Sequence, residues 1–235
     1  KEADEAVQAA QAVNALLLAP NHFTDGAKAY LSAENDFERG RSLNRIISQL
    51  TSAIDAFTKA KKAAENASTI LAPLIKARED AIAALAENFS VDLWSEAEEL
   101  FSAAAKRLET GDVDGARERA AETEPLYRDA ELEGIKAQHL SHTRSLIAQG
   151  EQTGLSRYAP KTFAKAQFLL VQAEEELNTN RYDTVLPGRL AEQANYEARH
   201  AELIANHIRE TETEAWNIED VILLYEQSIL EIAAA

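Results

Sequence analysis

A pattern of aromatic, apolar and small residues occurs three times in this chain at an almost constant interval. The copies open at Phe23, Trp94 and Phe163, and the intervals between them are 71 and 69 residues. Each copy continues with apolar or small residues at steps of three and four, which is the spacing of one helix face. Self-similarity at a fixed period is typical of repeat proteins, in which similar units stack on their neighbours. The pattern therefore predicts an array of helical units.

The residues just before each copy predict that the chain reverses direction there. Pro20 and Pro160 suit the first helical position, where the missing N–H is not needed, and Ser90 is a good N-cap. An apolar residue also stands five positions before each opening aromatic, which is the spacing of a hydrophobic staple. The predicted staples are Leu18–Phe23, Phe89–Trp94 and Tyr158–Phe163.

Each opening helix is predicted to run for about 18 residues and to end at a residue that tolerates a left-handed backbone. These residues are Gly40, Gly111 and Asn180. A long helix should follow each one, capped in turn by Ser42, Asp112 and Asp183. Each long helix carries one aromatic residue at core spacing, namely Phe57, Tyr127 and Tyr196.

Three prolines bear on the long helices. Pro73 and Pro125 fall inside them, so we expect bends or breaks near Ala72 and Glu124. Pro187 falls in the first turn of its helix, where proline is well tolerated.

These features together predict an all-α fold: an elongated array of overlapping antiparallel three-helix bundles, with alternating short and long helices and a repeat of about 70 residues. The predicted divisions are residues 1–72, 73–150 and 151–235, the last with a C-terminal extension helix. A tetratricopeptide-like superhelix is the alternative. It is less favoured because its unit of about 34 residues has two helices of equal length.

Composition narrows the classes of function. The net charge of −16 and the lack of an extended basic patch disfavour nucleic-acid binding. The chain has no cysteine, so disulfides and thiolate metal sites are impossible. We also expect no transmembrane segment, because no apolar run approaches the length of a membrane-spanning helix.

Few residues are candidates for chemistry. Glu197 and His200 match one half of a di-iron bundle motif, but a second half is missing, so a surface Glu–His pair is the preferred interpretation. His139 and His142 share a helix face that we interpret as solvated. Carboxylate runs such as Glu174–Glu176 are also interpreted as solvated faces. The remaining histidines are His22 and His207. We assign no catalytic, cofactor-binding or metal-binding residue and expect no enzymatic activity.

The aromatic residues at core spacing are expected to pack in the core rather than to stack on a ligand. They are Trp94, Phe101, Phe163 and Tyr196.

The third copy resembles a known family. The segment Tyr158-Ala-Pro-Lys-Thr-Phe163, followed by Ala166, Ala173-Glu174, Leu177 and Arg181-Tyr182-Asp183, is similar to an uncharacterised Ala-rich helical domain of bacterial envelope lipoproteins. That domain is often found beside OmpA-like peptidoglycan-binding domains. The chain departs from the family pattern at Asn180-Arg181, where the family has Gly-Asp, and at Val185 and Pro187, where it usually has Ala. No catalytic residue is known for the family, so none is transferred.

The resemblance implies a non-enzymatic scaffold or spacer in the periplasm or at the outer membrane, as a mature or trimmed segment. Its partners would be proteins or an adjacent domain of the same polypeptide, including peptidoglycan-associated ones. The alternative is a helical adaptor that binds a peptide or small ligand in a groove between repeats. The two differ in that an adaptor needs a groove with convergent polar residues.

The C-terminal segment carries an apolar stripe that lacks an obvious partner in the repeat scheme. From about Thr211 onward, Ile218, Ile222, Tyr225, Ile229 and Ile232 follow at steps of three and four, and Trp216 and Leu223 widen the stripe. An unpaired stripe exposes more apolar surface than monomers usually tolerate. We therefore expect it either to fold back on Leu16 to Leu18 and the first helix or to pair with another copy of the chain, and we favour pairing or docking on another domain.

Overall fold

The computed structural model describes residues 1–213 and 216–234, and this part of the chain forms twelve α-helices and no β-strand. It divides into two compact units, unit 1 (Lys1–Gly134) and unit 2 (Ile135–Ala235). The helices are α1 (Glu2–Ala12), α2 (Ala15–Leu18), α3 (Pro20–Glu38), α4 (Leu43–Ile70), α5 (Ala72–Ala83), α6 (Ala86–Phe89), α7 (Val91–Glu109), α8 (Val113–Gln152), α9 (Leu155–Tyr158), α10 (Pro160–Thr179), α11 (Val185–Thr213) and α12 (Ile218–Ala234).

Unit 1 contains two three-helix arrangements. In the first, α3 packs along α4, and α1 packs against α4 as well. In the second, α5, α7 and the beginning of α8 meet around Tyr127, which is fully buried against Trp94 and Phe101. Small buried residues such as Ala53, Ala60 and Ala67 line the contact face of α4, because alanine lets helix backbones approach closely.

Unit 2 repeats this arrangement with the end of α8, α10 and α11. The helices α10 and α11 pack along each other, and Arg144 of α8 forms an ion pair with Glu174 of α10 at 2.7 Å. The opening helices α3, α7 and α10 have 19, 19 and 20 residues, whereas α8 and α11 have 40 and 29. The prediction of an all-helical array with alternating short and long helices is therefore confirmed.

The three chain reversals share one backbone geometry, which is more elaborate than the predicted cap. A residue with left-handed backbone comes first, at Asn14 (φ 52°), Leu85 (φ 57°) and Gly154 (φ 70°). A single helical turn follows (α2, α6 or α9). One N-cap residue with φ between −131° and −146° and ψ between 52° and 60° then precedes the opening helix, namely Ala19, Ser90 or Ala159. The intervals between the left-handed residues are again 71 and 69, so the repeat extends to the backbone of its turns.

The three opening helices end where predicted, and two of the three ends have the predicted left-handed backbone. Gly40 and Gly111 have φ values of 63° and 84°, as a left-handed C-cap requires. Asn180 instead has φ −146° and ψ 91°, which is extended backbone. Its side-chain Oδ1 accepts a hydrogen bond from the N–H of Tyr182 at 3.3 Å, so the side chain closes the turn without a left-handed residue.

The predictions made for the three prolines have different outcomes. Pro73 lies at the start of α5, directly after the interruption at Leu71, so the predicted break near Ala72 is confirmed. Pro187 lies in the first turn of α11, as expected. Pro125 does not end its helix, since α8 runs from Val113 to Gln152, and the predicted bend near Glu124 stays a prediction. The nearby Tyr127 is fully buried, and such packing compensates for one missing backbone hydrogen bond.

Candidate functional site

In the first two copies the aromatic residues of the short and long helices pack against each other. The rings of Phe23 and Phe57 meet edge to face at a centroid distance of 5.3 Å. The rings of Trp94 and Tyr127 do the same at 5.5 Å. Both arrangements have the geometry that aromatic quadrupoles favour. These two copies therefore use their aromatic residues for the core, as predicted.

The second copy adds a polar network to its aromatic pair. Glu98 accepts hydrogen bonds from Arg78 Nε at 2.6 Å and Nη2 at 3.1 Å, and from the Tyr127 hydroxyl at 2.5 Å. The Arg78 guanidinium also lies 5.4 Å from the centre of the Trp94 ring, within cation–π range. Burial, reinforced by the hydrogen bond to Glu98, raises the pKa of the Tyr127 phenol far above its usual range.

This network joins three helices of unit 1, because Arg78 is on α5, Glu98 on α7 and Tyr127 on α8. Its carboxylate is occupied by two donors, and its phenol stays protonated at physiological pH. Such a charge-assisted network fixes helices relative to one another. We therefore interpret it as a structural brace of the second copy.

The third copy departs from this scheme at its long-helix aromatic residue. Tyr196 is 66% exposed. The buried positions of the long helices align Phe57 and Tyr127 with Ala198, so Tyr196 lies on the face that is also exposed in the other copies, at Asp55 and Pro125. The Tyr196 ring lies 5.8 Å from the His200 ring on the same helix. The prediction that Tyr196 belongs to the core is therefore wrong. For Phe101 and Phe163 the same prediction is confirmed, and Trp94 is half-buried.

A glycine makes room for the opening aromatic of the third copy in the core. Gly150 lies four residues before the left-handed Gly154, and the equivalent positions in the other copies are Ala10 and Ala81. A Cβ at Gly150 would lie only 2.4 Å from the Phe163 ring and 2.9 Å from Leu155. The Phe163 ring therefore occupies space that an alanine methyl fills elsewhere.

Tyr196 borders an open groove between α8 and α11, which we call the Tyr196 groove. Its volume is about 530 Å³. Nη2 of Arg199 lies 3.4 Å from Nε2 of His142, and Leu203 is exposed two turns after Tyr196. The side-chain oxygen of Asn195 is buried and has no hydrogen-bond partner in the described part of the chain. The lining residues are His142, Glu192, Asn195, Tyr196, Arg199, His200 and Leu203.

The Tyr196 groove combines chemical properties that protein interfaces use. Tyrosine and arginine are enriched at interfaces, because each offers a large contact area together with a polar end. Leu203 adds apolar area, and Arg199 can donate to a carboxylate in two parallel hydrogen bonds. The groove is therefore the candidate site for a protein or peptide with an apolar side chain next to an acidic group.

The other residues singled out in the sequence lie elsewhere. Glu197 accepts a hydrogen bond from Lys165 of α10 at 2.6 Å, so its carboxylate is engaged between α10 and α11. His139 is exposed, and His207 lies 3.5 Å from Glu210. The side chain of His22 lies at the end of α7, 4.0 Å from Glu109. Within residues 1–213 and 216–234, no group of three or more His, Asp or Glu side chains could hold a metal ion.

Sequence reasoning missed the outward position of Tyr196, although the alanine stripe of α11 at steps of three and four leaves Tyr196 outside it (Ala191, Ala194, Ala198, Ala201 and Ala205). It also missed a glycine signal for the position of the Phe163 ring. The third copy is the only one of the three with glycine at position 150, where the others have alanine. Glycine in a helix interior costs stability, so it indicates close approach of another group. That approach comes from Phe163, the opening aromatic of the same copy.

No family model, curated protein or solved structure matches the chain. The resemblance of the third copy to the envelope lipoprotein domain therefore stays a prediction. Among the described residues, no helix is both long and apolar enough to cross a lipid bilayer.

Proposed function

We propose that this chain is a non-enzymatic scaffold that docks a protein partner at the Tyr196 groove. The observation that carries the proposal is the joint exposure of Tyr196, Arg199 and Leu203 on one side of α11, where they line the groove. A tyrosine that is 66% exposed leaves much of its apolar ring in water, and a docked partner would remove that area from water.

The two other copies bury the aromatic residues of their long helices for structure, which leaves Tyr196 as the exposed long-helix aromatic for binding. Phe57 and Tyr127 are buried in aromatic pairs, and the second copy is braced by Glu98. Binding residues are held best when they project from packed helices, since a firm backbone lowers the entropic cost of ordering the site. Tyr196, Arg199 and Leu203 all project from α11, which packs along α10.

The cellular setting is proposed from the sequence resemblance. A domain of bacterial envelope lipoproteins would place the scaffold in the periplasm or at the outer membrane. Its partner would then be another envelope protein or a neighbouring domain of the same polypeptide. In this proposal the remaining repeats set the distance between the docked protein and a neighbouring domain or envelope component.

Site-specific photo-crosslinking in the cells that make the protein tests this proposal. A photoreactive amino acid is placed at position 196 or 203, and a matched control carries it at Phe37, which is exposed on α3 of unit 1. We expect one discrete crosslinked protein from 196 and 203 and none from 37. Subcellular fractionation of the same cells tests the envelope location. Equal crosslinking from all three positions would contradict a specific docking surface.

A second candidate function uses the same groove for a small ligand or a short peptide. The exposed Arg199 guanidinium, 3.4 Å from the His142 ring, favours it, since it can bind an acidic group of a ligand. Titration with short peptides that end in an aromatic residue with a free carboxylate distinguishes the two. Tight binding that is lost in Arg199→Gln would favour the adaptor, and its absence would favour a larger protein partner.

A further inference from the structure

The connection between α11 and α12 has a defined hydrogen-bonded geometry. The N–H of Trp216 donates to the carbonyl of Thr211 at 3.0 Å. Asn217 Oδ1 then accepts hydrogen bonds from the N–H groups of Glu219 and Asp220, at 2.7 and 3.2 Å, and Asp220 accepts one from the N–H of Asn217 at 2.9 Å. This reciprocal arrangement is a capping box, which fixes where α12 begins.

A cavity of about 440 Å³ lies between the end of α11 and the beginning of α12. Ile204 and Ile208 of α11 line one side, and Trp216, Val221 and Leu224 line the other. This volume lies within the range of about 300–1,000 Å³ that is usual for binding pockets. We call this space the α11–α12 groove.

The apolar surface continues from the groove along α12. Ile218, Ile222, Tyr225 and Ile229 are all more than half exposed, and Tyr225 also lines the groove. Their steps of four, three and four residues are those of a coiled-coil seam. The side chain of Ile232, the last residue of the predicted stripe, lies outside the described part of the chain.

The flanks of this surface carry one sign of charge. No Lys or Arg follows Arg209, whereas the same segment contains Glu210, Glu212, Glu219, Asp220 and Glu226. Relative to the seam, Glu219 and Glu226 each follow a core position directly, which is where charged residues select the partner of a coiled coil. A second copy of α12 would bring the same acidic flanks, so like charges would oppose its docking.

We propose that the α11–α12 groove and the adjoining seam bind a cationic amphipathic helix of a partner protein. The partner's apolar side chains enter the groove beside Ile208 and Leu224, and its Lys or Arg side chains lie against Glu219 and Glu226. This is helix-in-groove recognition with charge-selected pairing. The surface is separate from the Tyr196 groove, so this inference extends the proposed scaffold by a second docking surface.

Binding of synthetic peptides to the purified full chain tests the proposal. The probes are two fluorescent amphipathic peptides with the same leucine positions, one with lysine and one with glutamate on its polar face. We expect fluorescence anisotropy to show binding of the lysine peptide alone, weakening as salt is added. The double variant Glu219→Gln/Glu226→Gln should weaken binding roughly tenfold, and Ile222→Ser should weaken it by a similar factor.

The matched control is the double variant Glu87→Gln/Glu118→Gln, which removes two exposed carboxylates of unit 1 and should bind normally. Helical circular dichroism checks that each variant is folded. Equal binding of both peptides, or of neither, would overturn the proposal. So would a chain that sediments as a dimer and becomes a monomer in Ile222→Ser, because a second copy would then occupy the surface. None of these results depends on the crosslinks expected from Tyr196.

Discussion

Replacing Gly154 with alanine isolates the contribution of backbone conformation to one chain reversal. Gly154 has φ +70°, and no atom lies within 4 Å of the position that a Cβ would take. The substitution therefore creates no steric clash and removes no contact. A non-glycine residue in the left-handed region costs about 1–2 kcal/mol, and the reduced entropy of the unfolded chain returns about 0.4–1 kcal/mol. We expect Gly154→Ala to destabilise the protein by about 1 kcal/mol.

Two other glycines of unit 2 serve as references for this value. Gly188 lies inside α11, and nothing lies within 4 Å of its Cβ position, so Gly188→Ala should stabilise by about 0.5–1 kcal/mol. Gly150 faces the buried Phe163 ring, so Gly150→Ala should destabilise by about 1–3 kcal/mol through overpacking. The three substitutions add the same methyl group, so differences in their free energies of unfolding report the backbone conformation and the packing at each site.

Urea unfolding followed by helical circular dichroism measures the three free energies. The expected order of stability is Gly188→Ala above the unmodified chain, then Gly154→Ala, with Gly150→Ala equal to it or lower. If Gly154→Ala were as stable as Gly188→Ala, the reversal would not need a left-handed residue at position 154. The repeated geometry at Asn14, Leu85 and Gly154 would then have no energetic basis.

Three further predictions concern single side chains. Tyr127→Phe should cost about 1.5–3 kcal/mol at neutral pH by removing a hydrogen bond to Glu98. The raised pKa of Tyr127 stabilises the fold fully below about pH 10 and progressively less above it, so this variant should also flatten the alkaline loss of stability seen in unfolding titrations. Glu109→Ala should destabilise the protein by about 1–2 kcal/mol, because the Glu109 carboxylate accepts hydrogen bonds from the N–H groups of Asn21 and His22 at the start of α3. Thermal unfolding measures this loss, with the exposed Glu99→Ala as the control. Urea unfolding should show that Phe57→Ala costs about 3–5 kcal/mol and that Tyr196→Ala costs much less, since only Phe57 is buried.

The sequence was sufficient to predict the helical array because its strongest signals are local. Helix starts at Pro20 and Pro160 and left-handed ends at Gly40 and Gly111 depend on the conformational limits of those residues themselves. The lengths of the short helices follow from the distance between the two kinds of signal. Such features survive in the folded chain because no distant contact has to form for them to operate.

The wrong predictions concern positions that distant contacts or alternative hydrogen bonds decide. Asn180 closes its turn with a side-chain hydrogen bond instead of a left-handed backbone. The left-handed Leu85 could not be predicted, because leucine has no preference for that conformation. Tyr196 is the case that matters for the site, since the buried face of α11 passes through Ala198 and leaves Tyr196 exposed.

The third copy connects the repeat pattern to the proposed function. In the other copies Ala10 and Ala81 stand four residues before the reversal, and the opening aromatic packs on the ring from the long helix. In the third copy Ala198 stands where the other copies have Phe57 and Tyr127, and the Phe163 ring packs directly against Gly150. Tyr196 lies on the exposed face of α11, so it adds an aromatic side chain to the surface without removing one from the core. The repeat can thus gain a binding residue while its helices and reversals keep the geometry of the other copies, which is how an array of similar units supports a docking surface on one of them.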